Sequence, residues 1–207
     1  MRLTVAAVMV LALGCRGQSH LLSDASSDAA SSDAADTPAA GGYTLASFPG
    51  GFDDHLALPP PFAPTLPLQG EEATREPPGL YQPDSDQFFS YAVLWWTSGA
   101  PDLSIAALRS DLAIYYTALC DNPAVTVTLD EPVVDAGADA GAGVARRGGT
   151  LAAGSCFGSA VPPAELEVST IPCPARVAIL ILLSPQPQAS AVWTELRAIR
   201  DTFRCEA

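Results

Sequence analysis

Residues 176–183 read RVAILILL, and residues 87–97 read QFFSYAVLWWT. Runs of branched and aromatic residues between turn-forming residues are typical of β-strands. Because neither run alternates regularly with polar residues, we expect both strands to be buried, and the strand over 87–97, which is apolar on both faces, to lie in the middle of a sheet. The first run is too short to cross a membrane as a helix, which needs about 20 residues. These two strands form the expected centre of the folded domain.

Two helices are predicted around these strands. Ser104 is a good N-cap for a helix over residues 105–120, in which apolar residues recur at helical spacing. A second amphipathic helix is predicted over about residues 189–204. Its predicted buried face consists of Val192, Trp193, Leu196, Ile199 and Phe203.

Three further strands complete the predicted domain, which covers residues 87–207. Residues 125–129 and 165–169 alternate between apolar and polar side chains, as half-buried strands do. Residues 150–157 are interpreted as a return strand between them. The element order predicts an α+β fold, a two-layer sandwich in which two helices pack on one face of a mixed sheet of four to five strands.

Four cysteines of this domain, Cys120, Cys156, Cys173 and Cys205, form an even set once Cys15 is set aside. In an oxidising compartment an even set indicates disulfides, and three pairings are open. When the chain is traced alternately up and down through the predicted elements, two pairs meet at opposite ends of the domain. We therefore predict the bonds Cys120–Cys156 and Cys173–Cys205, provided that the return strand is placed correctly.

The first residues predict export. Met1 and Arg2 precede an apolar run at 3–13, which has the length of a signal-peptide core and predicts a signal peptide over residues 1–14. The sequence LALGC at residues 11–15 resembles the lipobox of bacterial lipoproteins. This resemblance implies cleavage before Cys15, lipid attachment at Cys15 and, because Arg16 follows, anchoring in the outer membrane. The alternative is ordinary cleavage that leaves Cys15 as a free thiol.

Three segments are predicted to lie outside the regular core. Residues 15–42 are rich in Ser, Asp, Ala and Gly, and we expect a lipidated, disordered acidic tether because little can be buried to offset ordering. Residues 43–86 are predicted to form a proline-rich arm over the domain surface or, alternatively, a partner-docking segment. Residues 135–149 are interpreted as a low-complexity loop, since the spacing of Asp135 and Asp139 lacks the glutamate that an EF-hand calcium loop requires.

Several kinds of chemistry are not expected from this composition. The chain has no lysine, which excludes a P-loop lysine, Schiff-base chemistry and serine–lysine catalysis. Both histidines, His20 and His55, precede the predicted domain, so neither a catalytic triad nor a histidine-rich zinc site is expected within it. The cysteines form no CxxC pair. We predict no catalytic residue, no metal and no cofactor.

Two sets of strand residues are candidates for binding or catalysis. Trp95 and Trp96 could form an aromatic platform, but neighbouring strand residues point to opposite faces, so we favour core packing. Glu165 and Glu167 share one strand face and could form an acid–base pair. We interpret them as a solvated face instead.

A third candidate is a row of arginines on the last helix, Arg197, Arg200 and Arg204. They could bind an anionic partner. The alternative is a solvated helix face on which Asp201 pairs with Arg197. The net charge of −13 opposes binding to nucleic acid.

The sequence therefore predicts a cell-envelope lipoprotein, anchored to the outer membrane and facing the periplasm or the cell surface. Its domain is expected to be a non-enzymatic binding module for an envelope protein. Two alternatives stay open, a carboxylate-dependent hydrolase of envelope polysaccharide and a ligand-binding domain that uses an aromatic sheet face.

Overall fold

The computed structural model describes residues 42–134 and 143–206. The predicted signal peptide, the lipid attachment at Cys15, nearly all of the tether and the Asp135–Asp139 pair lie outside these residues. Two helices are present, α1 (Ile105–Leu119) and α2 (Ala191–Thr202). The strands are β1 (Tyr43–Thr44), β2 (Phe52–Leu58), β3 (Gly70–Glu76), β4 (Tyr91–Ser98), β5 (Thr126–Leu129), β6 (Val133–Val134), β7 (Ala145–Ala152), β8 (Gly154–Cys156), β9 (Ser159–Val161), β10 (Ala164–Cys173), β11 (Arg176–Ser184) and β12 (Arg204–Cys205).

The central sheet is antiparallel throughout and has the strand order β2-β3-β4-β11-β10-β7-β5, with β6 also paired to β7. It consists of two meanders, β2-β3-β4 and β5-β7-β10-β11, which meet where β4 pairs with β11. Helix α1 carries the chain from the end of the first meander to the start of the second. Successive strands of a meander run antiparallel, so the expectation of a mixed sheet of four to five strands is wrong.

Strand β4, for which a central position is expected, and strand β11, which is expected to be buried, are neighbours in the middle of the sheet. Alternate residues of β4 point to opposite faces. Trp95 belongs to the apolar core on the α1 side, and Trp96 to the core on the α2 side. The helices therefore cover opposite faces and the domain has three layers, α1, sheet and α2. The two-layer arrangement with both helices on one face is wrong, because both faces of β4 and β11 need cover.

The sheet is larger than expected because the segment interpreted as a proline-rich arm supplies β2 and β3. The same segment contributes Leu58, Leu66, Leu68 and Leu80 to the core on the α1 side. The sheet thus starts well before residue 87. Likewise, part of the predicted loop at 135–149 belongs to β7.

Both predicted disulfides are present. Cys120 follows α1 and bonds to Cys156 of β8, with a Cα–Cα distance of 4.3 Å. Cys173 at the end of β10 bonds to Cys205 of β12, with a Cα–Cα distance of 5.8 Å. The second bond fixes the C-terminal strand β12, which in turn pairs with β1.

Each helix covers only part of its sheet face. Seven strand positions spaced about 4.8 Å apart give a sheet about 29 Å wide, whereas a helix is about 10 Å across. Helix α2 packs against β11 and β4, which leaves the β10–β7 side of its face without a helix. On the other face, which α1 covers in part, a cavity lies between α1 and the strands β2 and β3. These two uncovered regions are the candidate sites.

Candidate functional site

The cavity on the α1 side is built on the polar strand β3. Glu72, Thr74 and Glu76 are spaced two residues apart and therefore share one sheet face. The pairing of β2 with β3 places Asp54 opposite Thr74, so the Asp54 side chain lies on the same face, diagonal to both glutamates. Diagonal cross-strand neighbours have Cβ atoms about 7–8 Å apart. Three carboxyl groups consequently line one small cavity.

Glu72 lies at the buried end of this cavity, with only 1% of its surface exposed. The Tyr115 hydroxyl donates a hydrogen bond to Oε1 at 2.8 Å, and the Trp95 indole N–H donates to Oε2 at 3.2 Å. Burial disfavours the charged carboxylate and raises the pKa of Glu72 to about 7, while the two donors act in the opposite direction. The negative charge of Asp54 raises this pKa further. Glu72 therefore titrates near neutrality.

Glu76 lies further along the same face. Its pKa is raised, mainly by burial and also by the charge of Asp54, and a hydrogen bond with Tyr81 lowers it. The Tyr81 hydroxyl donates to Glu76 Oε2 at 3.4 Å. The negative charge of Asp54 thus acts on both glutamates of the cavity.

Aromatic rings form much of the remaining wall. Tyr81 and Phe157 meet edge to face with ring centroids 5.3 Å apart, and 56% and 45% of their surfaces are exposed. Phe62 meets Tyr115 in the same manner at 5.2 Å. Phe157 is held in place by the neighbouring Cys120–Cys156 disulfide, which ties its hairpin to the end of α1. The cavity is thus acidic with aromatic walls.

The cavity volume is about 150 Å³. None of the described residues that line it is basic. The Thr74 hydroxyl oxygen is buried without a hydrogen-bond partner among the described residues. His55 neighbours Asp54 on β2 and therefore points to the other face of the sheet. This arrangement suits one small group that carries positive charge and hydrogen-bond donors.

The two tryptophans predicted as a platform are core residues. Trp95 is fully buried and Trp96 is 2% exposed. Trp95 serves the cavity indirectly, by donating to Glu72. The structure therefore offers no exposed tryptophan face at these two positions.

The predicted arginines lie near the strand glutamates. Arg197 and Arg200 both bind Glu167, with Arg197 Nε 2.9 Å from Oε1 and Arg200 Nη1 3.0 Å from Oε2. Asp201 pairs with Arg200 Nε at 2.8 Å, and not with Arg197 as expected for a solvated face. Arg204 Nη1 donates to the carbonyl oxygen of Asp201 at 2.8 Å. The Glu167 carboxylate thus forms ion pairs with two arginines.

The carboxyl groups of the cavity were not predicted from the sequence. Glu72, Thr74 and Glu76 alternate with residues that include Glu71 and Arg75, so β3 lacks the apolar alternation by which a strand is recognised. A polar strand is identified by its neighbours in the sheet, and these are distant in sequence. The period-two spacing of Glu72, Thr74 and Glu76 was the one available signal.

No protein-family profile matches the chain, and no curated protein is significantly similar to it. In the described part of the chain, neither helix is long and apolar enough to cross a membrane. Among the described residues, no three His, Cys, Asp or Glu side chains are placed so that together they could hold a metal ion. The function is therefore inferred from the site itself.

Proposed function

We propose that this protein is a cell-envelope lipoprotein whose domain is a non-enzymatic binding module. In this proposal residues 1–14 direct export, Cys15 carries the lipid and the acidic tether spaces the domain from the outer membrane. The domain binds an envelope protein by accepting a lysine or arginine side chain of that partner into the acidic aromatic cavity. The grouping of Asp54, Glu72 and Glu76 in this cavity is the observation that carries the proposal.

The lining favours a cation for two independent reasons. Carboxylates attract ammonium and guanidinium groups and accept their hydrogen bonds. Aromatic rings attract cations to their faces, which is how aromatic cages bind alkylammonium groups. Because the chain contains no lysine, a lysine ligand comes from another molecule.

The size of the cavity favours a single side chain. Small-molecule sites usually enclose about 300–1,000 Å³, and this cavity is about 150 Å³. The exposed rings of Tyr81 and Phe157 at its rim extend the contact area. Aromatic residues are enriched in protein interfaces, so this rim suits the surroundings of an inserted side chain.

Proton release accompanies binding in this proposal. A pKa of about 7 leaves Glu72 about half protonated at pH 7. A cation in the cavity stabilises the carboxylate and lowers this pKa. Affinity should consequently rise between pH 5 and pH 8, and calorimetry in buffers of different ionisation enthalpy should detect the released proton.

Titration with n-butylammonium, with N-acetyl-lysine amide and with neutral n-butanol tests the cavity. We expect NMR shifts at residues lining the cavity with both amines and not with butanol. Glu76→Gln should weaken amine binding about tenfold, the effect of losing about 1.4 kcal/mol of interaction. Glu71→Gln is the matched control, since Glu71 adjoins Glu72 on β3 but points to the opposite face. Equal binding of amine and alcohol, or equal effects of both variants, would refute the cavity as a cation site.

The partner and the anchor need separate tests. Capture from cell envelopes with wild-type protein should recover a protein that the Glu76→Gln variant loses and the Glu71→Gln variant keeps. The Cys15→Ser variant should leave the membrane fraction and lack acyl mass in mass spectrometry. A Cys15→Ser protein that remains membrane-bound contradicts the lipoprotein assignment without affecting the cavity.

A carboxylate-dependent hydrolase of envelope polysaccharide is the second candidate. It is favoured by Glu72, because a carboxyl group with a pKa of about 7 is suited to general acid catalysis. Two features oppose it. Both oxygens of Glu72 are engaged by Tyr115 and Trp95, and the cavity is small for a sugar chain. Turnover of purified envelope polysaccharide that is lost in Glu72→Gln would favour this candidate over the binding module.

A further inference from the structure

The edge of the sheet next to the acidic aromatic cavity is an open strand. Strand β2 pairs with β3 on one side, and no strand among the described residues pairs with its other side. Five of its seven residues are exposed, and only Leu58 is buried. An open edge strand can receive an extended segment of another protein as an additional strand. Strand β2 therefore has the form of a docking edge.

The register of the sheet shows which backbone groups of β2 face the free side. In an antiparallel pair, successive residues direct their N–H and C=O groups alternately toward and away from the partner strand. Gln69 directly precedes β3, and its carbonyl oxygen accepts from the Ser98 N–H of β4 at 2.7 Å. The odd-numbered residues of β3 consequently face β4, and the even-numbered residues face β2. Given the register of β2 with β3, the N–H and C=O groups of Asp53, His55 and Ala57 point to the free side.

The side chains of β2 on the α1 side suit a partner strand with a basic residue. Phe52, Asp54 and Leu56 share this face, and the last two line the acidic aromatic cavity. Asp54 is exposed, so the cavity wall reaches the free edge at this residue. A strand added beside β2 places one side chain directly opposite Asp54, with Cβ atoms about 4.5–5.5 Å apart. A lysine there lies next to the Asp54 carboxylate, and its four-carbon stem can extend toward Glu72 and Glu76 on β3, two strand spacings or about 10 Å away.

The same face offers an apolar contact on either side of this basic residue. Phe52 precedes Asp54 by two positions and is 67% exposed. Leu56 follows Asp54 by two positions and is half-buried. Pairs of aromatic and β-branched side chains on neighbouring strands stabilise a sheet. The edge therefore fits an extended segment in which a basic residue has a branched apolar residue two positions before and after it.

We propose that the partner presents its basic side chain on an extended segment, which adds to β2 as a new antiparallel strand with the basic residue opposite Asp54. This inference rests on the proposed cation site and specifies how the partner reaches it. In the structure the His55 N–H donates to Asp54 Oδ1 at 2.8 Å. A cation beside Asp54 attracts this carboxylate and leaves the His55 N–H to a carbonyl oxygen of the partner strand. Charge recognition and backbone pairing thus act together.

A seven-residue peptide tests this mode of binding on the full chain in detergent micelles. The peptide has lysine at position four, valine at positions two and six, threonine elsewhere, and acetylated and amidated ends. In NMR titrations it should bind about tenfold more tightly than N-acetyl-lysine amide, because backbone hydrogen bonds add to the contact of the side chain. Its binding should slow hydrogen exchange at the backbone N–H groups of His55 and Ala57. Glutamine in place of the lysine should weaken binding about tenfold.

Two matched comparisons separate strand addition from cation binding alone. N-methylation of the two threonines that flank the lysine removes the peptide N–H groups that face β2 and should weaken binding about tenfold. N-methylation of the two valines alters the opposite edge and should have little effect. In the protein, His55→Pro removes an N–H that faces the free side, where an edge strand tolerates proline. This variant should bind the peptide about tenfold more weakly and n-butylammonium as wild type does, whereas His55→Ala should keep both.

The outcomes distinguish this inference from the cation site on which it rests. Equal effects of the two N-methylated peptides, or unchanged peptide binding by His55→Pro, overturn strand addition and leave the cation site in place. Equal binding of the lysine and glutamine peptides overturns the proposal in favour of an edge without charge preference. Peptide binding that weakens as the protein concentration rises overturns it in favour of a second copy on β2. Absent n-butylammonium binding by the wild type refutes the cation site, and this inference with it.

Discussion

Replacing Glu72 by glutamine should change how stability depends on pH. Glutamine keeps the shape of the side chain and can still accept from the Trp95 N–H and donate to the Tyr115 oxygen. Glutamine cannot ionise, however, so the variant lacks the titration of the Glu72 carboxyl group. In the wild type the pKa of Glu72 rises on folding from its ordinary value of 4.5 to about 7, so between these pH values the folded protein binds more protons than the unfolded chain.

The magnitude follows from this difference. Stability falls with rising pH wherever the folded state binds more protons. One pKa unit corresponds to about 1.4 kcal/mol, so ionising Glu72 costs about 3 kcal/mol of unfolding free energy in total. The loss begins near pH 4.5, is complete somewhat above pH 7 and stays constant at higher pH. Below pH 4.5 the neutral glutamic acid and glutamine should behave alike.

Urea denaturation at several pH values from 4.5 to 8.5, with the disulfides intact, measures this effect. We expect Glu72→Gln to be close to wild type in stability at pH 4.5 and about 3 kcal/mol more stable relative to it at pH 8.5. Because burial also raises the pKa of Glu76 and Asp111, the difference between variant and wild type is the quantity to compare. Glu71→Gln, on the opposite face of the same strand, should show no such growing difference. Parallel pH profiles for wild type and Glu72→Gln would refute a neutral, buried Glu72.

Three further changes test the fold. Cys173→Ser/Cys205→Ser opens a loop with a sequence separation of 32 and should lower the unfolding free energy by about 3–4 kcal/mol in urea titrations. Gly70→Ala should lower the melting temperature by several degrees, since Gly70 has φ +142° and an added Cβ would overlap the Trp96 carbonyl oxygen; unchanged melting contradicts this packing. Glu167→Gln removes the negative charge that faces the partly buried Arg197 and Arg200. It should lower the unfolding free energy by about 1–2 kcal/mol, and this loss should be smaller in high salt.

The sequence predicted the helices and strands whose apolar residues are buried along their length. It also predicted the disulfides, because four cysteines allow only three pairings. The N-cap at Ser104 accepts the Ala107 N–H as expected, and α2 buries the predicted Val192 and Trp193. The disulfide pairing followed from chain direction alone. The apolar residues on both faces of β4 also indicate the three-layer arrangement, because a strand that is buried on both faces needs a layer packed against each face.

The acidic cavity could not be predicted in the same manner. Glu72 is buried because Tyr115 of α1 and Trp95 of β4 supply its hydrogen bonds, and those partners lie 43 and 23 residues away in sequence. Proline clusters between β2 and β3 suggested an extended arm. In fact the apolar residues Leu66 and Leu68 between them pack into the core on the α1 side. The proline-rich composition gave no sign of the strands β2 and β3 on either side of these prolines.

The position of β2 at one edge of the sheet affects whether copies of the protein associate at high local concentration. One side of β2 has no partner strand among the described residues, and such an open border can pair with the same strand of another molecule. Lipid anchors, as proposed, would concentrate copies in two dimensions and promote this self-association. Asp53 and Asp54 lie along that border, and antiparallel pairing of two copies would bring like charges close together, which is unfavourable. We therefore expect Asp54 above all to disfavour pairing between the β2 strands of neighbouring molecules, since Asp53 already pairs with Arg75 at 3.6 Å.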